Sequence, residues 1–82
     1  MPDPPKNAPR RIRTAEELGA AVRAARKKNE LDQETTADLV GVGARFLGEL
    51  ERGKDTVRLG LVLRVLERLG LEIWISPRGR KQ

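Results

Sequence analysis

The sequence contains no cysteine and no histidine, so its charged side chains are the main candidates for catalysis or binding. The absence of cysteine and histidine excludes disulfides, thiol nucleophiles, thiolate metal sites and the usual general base at neutral pH. The carboxylates of Glu16, Glu17, Glu49 and Glu51 fall on the predicted surfaces of amphipathic helices, with no phosphate-binding loop beside them. The sequence therefore predicts neither an enzyme nor a metal or cofactor site.

Several polar groups midway along the chain suit hydrogen bonding to nucleic acid instead. Arg45 is the strongest candidate, since a guanidinium can donate two hydrogen bonds to guanine O6 and N7, although a phosphate contact would also suit it. Glu49 could accept from cytosine N4, but it lies four residues after Arg45 and an ion pair is favoured. Ala44 could contact a thymine methyl group, but it could equally well be a small side chain with no specific role. Arg52 and Lys54 suit phosphate contacts or a solvated surface.

The net charge of +5 also suits nucleic acid, but it belongs mostly to the two ends of the chain. Residues 1–13 and residues 77–82 each contribute +3, which leaves −1 for the middle. Residues 1–13 hold four of the five prolines and no apolar period, so we expect a disordered basic arm, either solvated or bound to phosphates. Residues 77–82 form a basic tail, and residues 14–76 remain for one small domain.

Membrane and secretory signals are missing from the sequence. No apolar run reaches the roughly 20 residues needed to cross a bilayer, and nothing resembles a signal peptide. The default expectation is a cytoplasmic protein with no membrane partner.

A capping-box signature begins the first helix, because Glu17 follows Thr14 at a spacing of three residues. Leu18, Val22 and Ala25 then recur at helical spacing and predict a buried face. The last turns carry a basic cluster formed by Arg23, Arg26, Lys27 and Lys28. This cluster either complements the helix dipole or lies beside a phosphate backbone.

A sharp turn joins two short helices in the middle of the chain. Asp32 suits the N-cap of a helix over about residues 33–40, and Gly41 supplies the positive φ that ends it. Val42 fills the turn from the core side, and the next helix runs over about residues 44–52. This is the helix-turn-helix pattern, in which the second helix presents its N-terminal end to a major groove.

The last part of the domain changes from a helical to a strand pattern. An amphipathic helix has an apolar stripe formed by Leu59, Val62, Leu63, Leu66 and Leu69. Residues 71–76 then alternate apolar and polar side chains, which is typical of a strand. A lone strand leaves its main-chain groups unpaired, so we expect it to pair with a second copy through Leu71, Ile73, Trp74 and Ile75. The alternative is that residues 71–76 dock on the helices of their own chain.

The chain resembles the Xre/Cro-type repressors over roughly residues 14–76, and most of all the HipB-type antitoxins. The resemblance rests on Gln33 at the start of the first motif helix, Ala37, Gly41, Val42, Leu47, the segment "LERG" and the strand "LEIWIS". It implies a mainly α, lambda-repressor-like bundle of four to five helices, with a C-terminal strand that pairs across a homodimer. It also implies a phosphate contact for Gln33, although a solvated polar role fits this residue too.

In function, the resemblance implies a sequence-specific DNA-binding antitoxin that represses its own operon, binds a palindromic operator and neutralises a HipA-type kinase toxin. The alternatives are a stand-alone Xre-type repressor, an antitoxin of another toxin class, and a protein-interaction module without DNA binding. The second motif helix departs from the family at Gly43, Ala44 and Gly48, where polar residues are usual. Direct base contacts would therefore be sparse, and specificity per half-site would be modest, helped by DNA shape, cooperativity or the partner.

Overall fold

The computed structural model describes residues 9–78 and contains, within them, four α-helices. They are α1 (Ala15–Lys28), α2 (Gln33–Val40), α3 (Ala44–Glu51) and α4 (Leu59–Arg68). The predicted mainly α bundle and its helical segments are thus confirmed. The first eight residues of the predicted arm and the last four of the predicted tail lie outside the described residues.

Local hydrogen bonds begin the first two helices where the sequence predicts them. The Thr14 hydroxyl accepts from the main-chain N–H of Glu17 at 3.0 Å and caps α1. The Asp32 carboxylate accepts from the N–H of Thr35 at 2.7 Å and caps α2. The bond from the Thr35 main chain also holds the pKa of Asp32 below its ordinary value.

The core is aliphatic and small. α3 packs against both α1 and α2, and α2 also packs against α4. The buried hydrophobic side chains come from all four helices: Val22, Ala37, Val40, Leu47, Leu50, Val62, Val65 and Leu66. Val42 is partly buried against this core, as the sequence predicts, and so is Phe46.

The predicted apolar stripe of α4 is only partly covered. Val62 and Leu66 are buried, together with Val65, whereas Leu59 is 67 % exposed and Leu63 is 46 % exposed. Among the described residues, α4 packs mainly against α2, and one edge of the stripe faces outward.

Residues 71–76 form neither a helix nor a paired strand within residues 9–78 of the single chain. A strand is stabilised by hydrogen bonds to a second strand, and the described part of this chain contains none. Leu71 packs against the core, but Ile73 and Ile75 are exposed. Pairing across a homodimer remains a prediction.

Two arginines of α4 donate hydrogen bonds to the end of α2. Arg68 Nη2 donates to the Leu39 carbonyl at 2.9 Å, and Arg64 Nη1 donates to the Gly41 carbonyl at 3.4 Å. α2 has no basic residue in its own last turn. α4 therefore supplies the positive charge that the C-terminal carbonyls of a helix favour.

The main chains of α1 and α3 approach each other closely at Gly19. A Cβ atom placed on Gly19 would lie 2.7 Å from the Glu51 carbonyl oxygen and closer still to that of Leu50. Only a residue without a side chain fits between these two helices.

Candidate nucleic-acid interface

Gly41 makes the tight turn that orients α3. Its φ of 88° is in the left-handed region, and its N–H donates to the Ala37 carbonyl at 2.8 Å. The N–H of Val42 donates to the same carbonyl at 3.0 Å, while the Val42 side chain packs against the core. The turn from α2 to α3 is therefore fixed on both its main-chain and its side-chain sides.

The N-terminal end of α3 faces outward. Gly43, Ala44 and Arg45 are all exposed, and the side chain of Arg45 is 92 % exposed. Gly43 provides no side-chain cap for the first amides of the helix. The start of α3 therefore presents an exposed cation and main-chain donors, both of which suit a phosphate or a base edge.

Glu49 lies between two cations on the same surface. Arg45 Nε is 3.4 Å from one of its carboxylate oxygens, and Lys54 Nζ is 3.3 Å from the other. The predicted pair between Arg45 and Glu49 is confirmed. The Lys54 hydrogen bond is the main cause that lowers the pKa of Glu49, with Arg45 adding to it.

A buried ion pair lies under the site and joins α1 to the end of α3. Arg26 donates from Nε and Nη2 to the two oxygens of Glu51, at 2.6 and 2.9 Å, and from Nη1 to the Leu31 carbonyl at 2.7 Å. Gln33 Nε2 donates to Glu51 at 3.0 Å. Burial by itself would raise the pKa of Glu51, but the bonds from Arg26 and Gln33 outweigh it and lower that pKa.

This pair corrects two expectations. Glu51 does not lie on the surface of an amphipathic helix, because its side chain is only 2 % exposed. Arg26 does not belong to an exposed basic cluster, because its side chain is 8 % exposed and its charge is paired within the chain. The sequence signal for Arg26 was its position four residues after the buried Val22, which places both on the face that meets α3.

Gly48, a predicted DNA-binding residue, is buried beneath the side chains of Gln33 and Arg52. A Cβ atom on Gly48 would lie 3.3 Å from Arg52 Nη1 and 3.5 Å from Gln33 Oε1. The two predicted phosphate contacts at the start of α2 and the end of α3 are thus brought together. Arg52 is exposed, whereas Gln33 is half-buried and already holds Glu51 with its amide nitrogen.

The residues predicted for dimerisation form a separate segment after α4. Trp74 is half-buried, and its indole N–H donates to the Glu72 carboxylate at 3.2 Å. Leu63, Leu66 and Leu71 line an open groove beside this segment.

No cluster of three or more acidic, His or Cys side chains suited to a metal occurs among residues 9–78. Within that range, no helix is long and apolar enough to span a bilayer.

Comparison with known proteins identifies the family. The model of the helix-turn-helix family HTH_3 matches residues 22–73, which include the turn at Gly41 and all of α3. The chain belongs to this family. It is by family an Xre-type helix-turn-helix regulator, so the resemblance found in the sequence is confirmed.

This helix-turn-helix protein is similar to a transcriptional regulator and a controller protein, and in fold to HipB. The Uncharacterized HTH-type transcriptional regulator y4mF of Sinorhizobium fredii is 44% identical over 73 residues, covering 89% of this chain and 96% of that protein. The restriction-modification controller protein C.AhdI of Aeromonas hydrophila is 33% identical and covers 71% of this chain and 88% of its own, with a TM-score of 0.64. HipB in the HipA-HipB-O2-O3 complex has a TM-score of 0.77 at 20% identity, covering 85% of this chain and 99% of its own. The likeness to HipB shows a shared fold.

Proposed function

We propose that this helix-turn-helix protein is a sequence-specific DNA-binding regulator that represses its own operon and acts as an antitoxin of a HipA-type kinase. The observation that carries the DNA-binding part is the 92 % exposure of the Arg45 side chain at the start of a helix fixed by the Gly41 turn. An exposed guanidinium there can extend into a major groove without any rearrangement of the main chain.

Phosphate contacts would position the chain on DNA. Gln33, at the start of α2, and Arg52, at the end of α3, both lie beside Gly48, and Lys54 follows the end of α3. Such contacts set the orientation of the protein and make its affinity depend on salt. Gly43 at the N-cap of α3, and Ala44 and Gly48 within it, have no polar side chain, so Arg45 carries most of the direct base recognition and DNA shape supplies the rest.

A single substitution tests the role of Arg45. Arg45→Ala should weaken binding to the DNA upstream of the coding sequence by about 1–3 kcal/mol and relax the preference at one base position. The comparison variant is Arg52→Ala, which should weaken binding about equally for all sequences because a phosphate carries no sequence information. Both effects are measured by fluorescence anisotropy on the natural site and on single-base variants of it. An unchanged base preference in Arg45→Ala would remove this residue from the site.

A homodimer is the second part of the proposal. Leu59, Leu63, Ile73 and Ile75 leave apolar surface exposed on one chain, and residues 71–76 leave main-chain groups without a partner strand among the described residues. A two-fold contact between two copies would cover this surface and pair the two segments. It would also place two α3 helices about 34 Å apart, which matches the half-sites of a palindromic operator.

Trp74→Pro tests the strand pairing, because proline removes one main-chain donor from the segment. We expect the dimer to dissociate towards the chain mass of 9.2 kDa in multi-angle light scattering. Trp74→Phe keeps the donor and an aromatic ring, and it should remain dimeric. A dimer of unchanged stability in the proline variant would contradict strand pairing.

The antitoxin part is supported by the HipB-like fold and tested by co-purification. HipB was solved in a HipA-HipB-O2-O3 complex, and the match covers 85% of the present chain. The test is to express the chain with the product of the neighbouring gene and to measure complex formation and kinase activity. A neighbouring gene without a kinase sequence, or a kinase that stays fully active in the presence of the chain, would contradict this part.

A stand-alone regulator is a second candidate, because the sequence is more similar to C.AhdI, at 33% identity, than to HipB, at 20%. C.AhdI is a controller protein of a restriction-modification system. In this case the chain would bind its upstream DNA with full affinity but would form no complex with a neighbouring gene product. The same co-purification therefore separates the two candidates.

A further inference from the structure

The exposed charges of α3 are unusual for a helix that is to lie against DNA. Arg45 and Glu49 are the charged residues of α3 outside the buried Glu51, and they have opposite signs. The side chain of Glu49 is 22 % exposed, and its carboxylate contacts both Arg45 and Lys54. The helix that would approach the phosphates thus carries an anion that already occupies two of the available cations.

This arrangement affects non-specific binding, which does not depend on the DNA sequence. Attraction between a protein and DNA of random sequence comes from cations that replace the counterions of the phosphates. Before Arg45 or Lys54 can take part, a phosphate must displace the Glu49 carboxylate and then remain close to a like charge. Glu49 therefore weakens contacts that involve the phosphates alone.

A matching base sequence changes this balance. When Arg45 donates to the acceptors of a guanine, Glu49 is released one helical turn away and faces the same groove. There its carboxylate can accept a hydrogen bond from an amino group of cytosine or adenine. Phosphates offer no such donor, so DNA without the matching bases leaves the carboxylate without compensation.

We propose that Glu49 is a specificity-determining residue, which holds Arg45 and Lys54 in the free protein and thereby weakens binding to random DNA more than binding to the operator. The inference rests on the proposed DNA-binding function and goes beyond it. It assigns discrimination to a repulsive group as well as to the attractive Arg45.

The test is Glu49→Gln, which removes the charge but keeps the shape and one acceptor oxygen. Affinities are measured over a series of salt concentrations for two duplexes of equal length, the DNA upstream of the coding sequence and the same bases in shuffled order. Affinity for the shuffled duplex should rise about fivefold, the size expected for one like-charge contact at short range in water. Affinity for the upstream duplex should change by less than about twofold, since the glutamine oxygen still accepts from the base.

Asp38→Asn is the matched control, because it removes one negative charge from an exposed position of α2. It should leave the ratio of the two affinities unchanged. If Glu49→Gln raises both affinities equally, or neither, the assignment to Glu49 is overturned. If the wild-type chain binds the two duplexes equally well, the proposed function itself is wrong.

Discussion

Replacement of Glu51 by glutamine is expected to lower the free energy of unfolding by about 3 kcal/mol, as the loss of one partner from a buried ion pair does. Both Glu51 oxygens accept from Arg26, and one of them also accepts from Gln33. A glutamine must place its NH2 group against one of these donors, and it leaves the guanidinium charge buried without a counter-charge. The free energy of unfolding of a domain of this size is roughly 4–10 kcal/mol in total. The denaturant concentration at the unfolding midpoint should therefore fall strongly in this variant.

The double replacement Arg26→Met with Glu51→Leu separates the charge from the packing. Removing both charges together should restore most of the stability, because the cost of the single variant comes from an unpaired buried ion. Gln33 is half-buried and can turn its amide to water in this variant. A double variant as unstable as Glu51→Gln would show that shape, and not charge, sets the cost.

Acid should act on the same pair. The pKa of Glu51 is lowered in the folded protein, so the pair stabilises the fold above the unfolded-state pKa, which is about 4.3 for glutamate. This contribution is lost as the pH falls through the lower folded-state pKa, because the protonated carboxyl no longer balances Arg26. Denaturation at a series of pH values should therefore show a steeper acid loss for the wild-type chain than for Glu51→Gln.

Replacement of Gly19 by alanine is expected to have the second large effect, a decrease of about 2–3 kcal/mol in the free energy of unfolding. The added Cβ would lie 2.7 Å from the Glu51 carbonyl oxygen and even closer to that of Leu50. These are main-chain atoms of α3, so they cannot move aside without displacing the helix. Unfolding in urea measures the loss, and operator affinity should fall as well because α3 is displaced.

Gly48→Ala is the matched control for this prediction. Its Cβ would meet the end of the Arg52 side chain at 3.3 Å, which can move by a few tenths of an ångström. Since glycine is unfavourable inside a helix, this variant should be neutral or more stable by up to about 1 kcal/mol. A Gly19→Ala variant as stable as Gly48→Ala would show that helix propensity, rather than the approach of α1 and α3, determines the result.

The sequence was sufficient for the elements whose signals are local. The cap at Asp32 and the left-handed Gly41 involve residues within a few positions of each other, and both appear in the structure as predicted. The pair between Arg45 and Glu49 was also predictable, because a spacing of four residues on a helix brings side chains together. Lys54 joins this pair from the following loop, whose path no periodic pattern describes.

The remaining features depend on how distant segments pack. Arg26 and Glu51 are 25 residues apart, so their pairing appears only once α1 has been placed against α3. Gly19 gave no sequence signal, because its role is to admit a carbonyl from another helix. The exposed Leu59 and Leu63 matched a helical stripe, but the sequence of one chain does not state which part of a stripe its own core covers.

The hydrogen bonds from Arg64 and Arg68 have a mechanical consequence. The carbonyls that they bind belong to Leu39, in the last turn of α2, and to Gly41, in the turn that leads to α3. A displacement of α4 would strain these two hydrogen bonds and, through them, the end of α2 and the turn that precedes α3. A partner that docks against α4 and shifts it would therefore also affect the orientation of α3 and of Arg45.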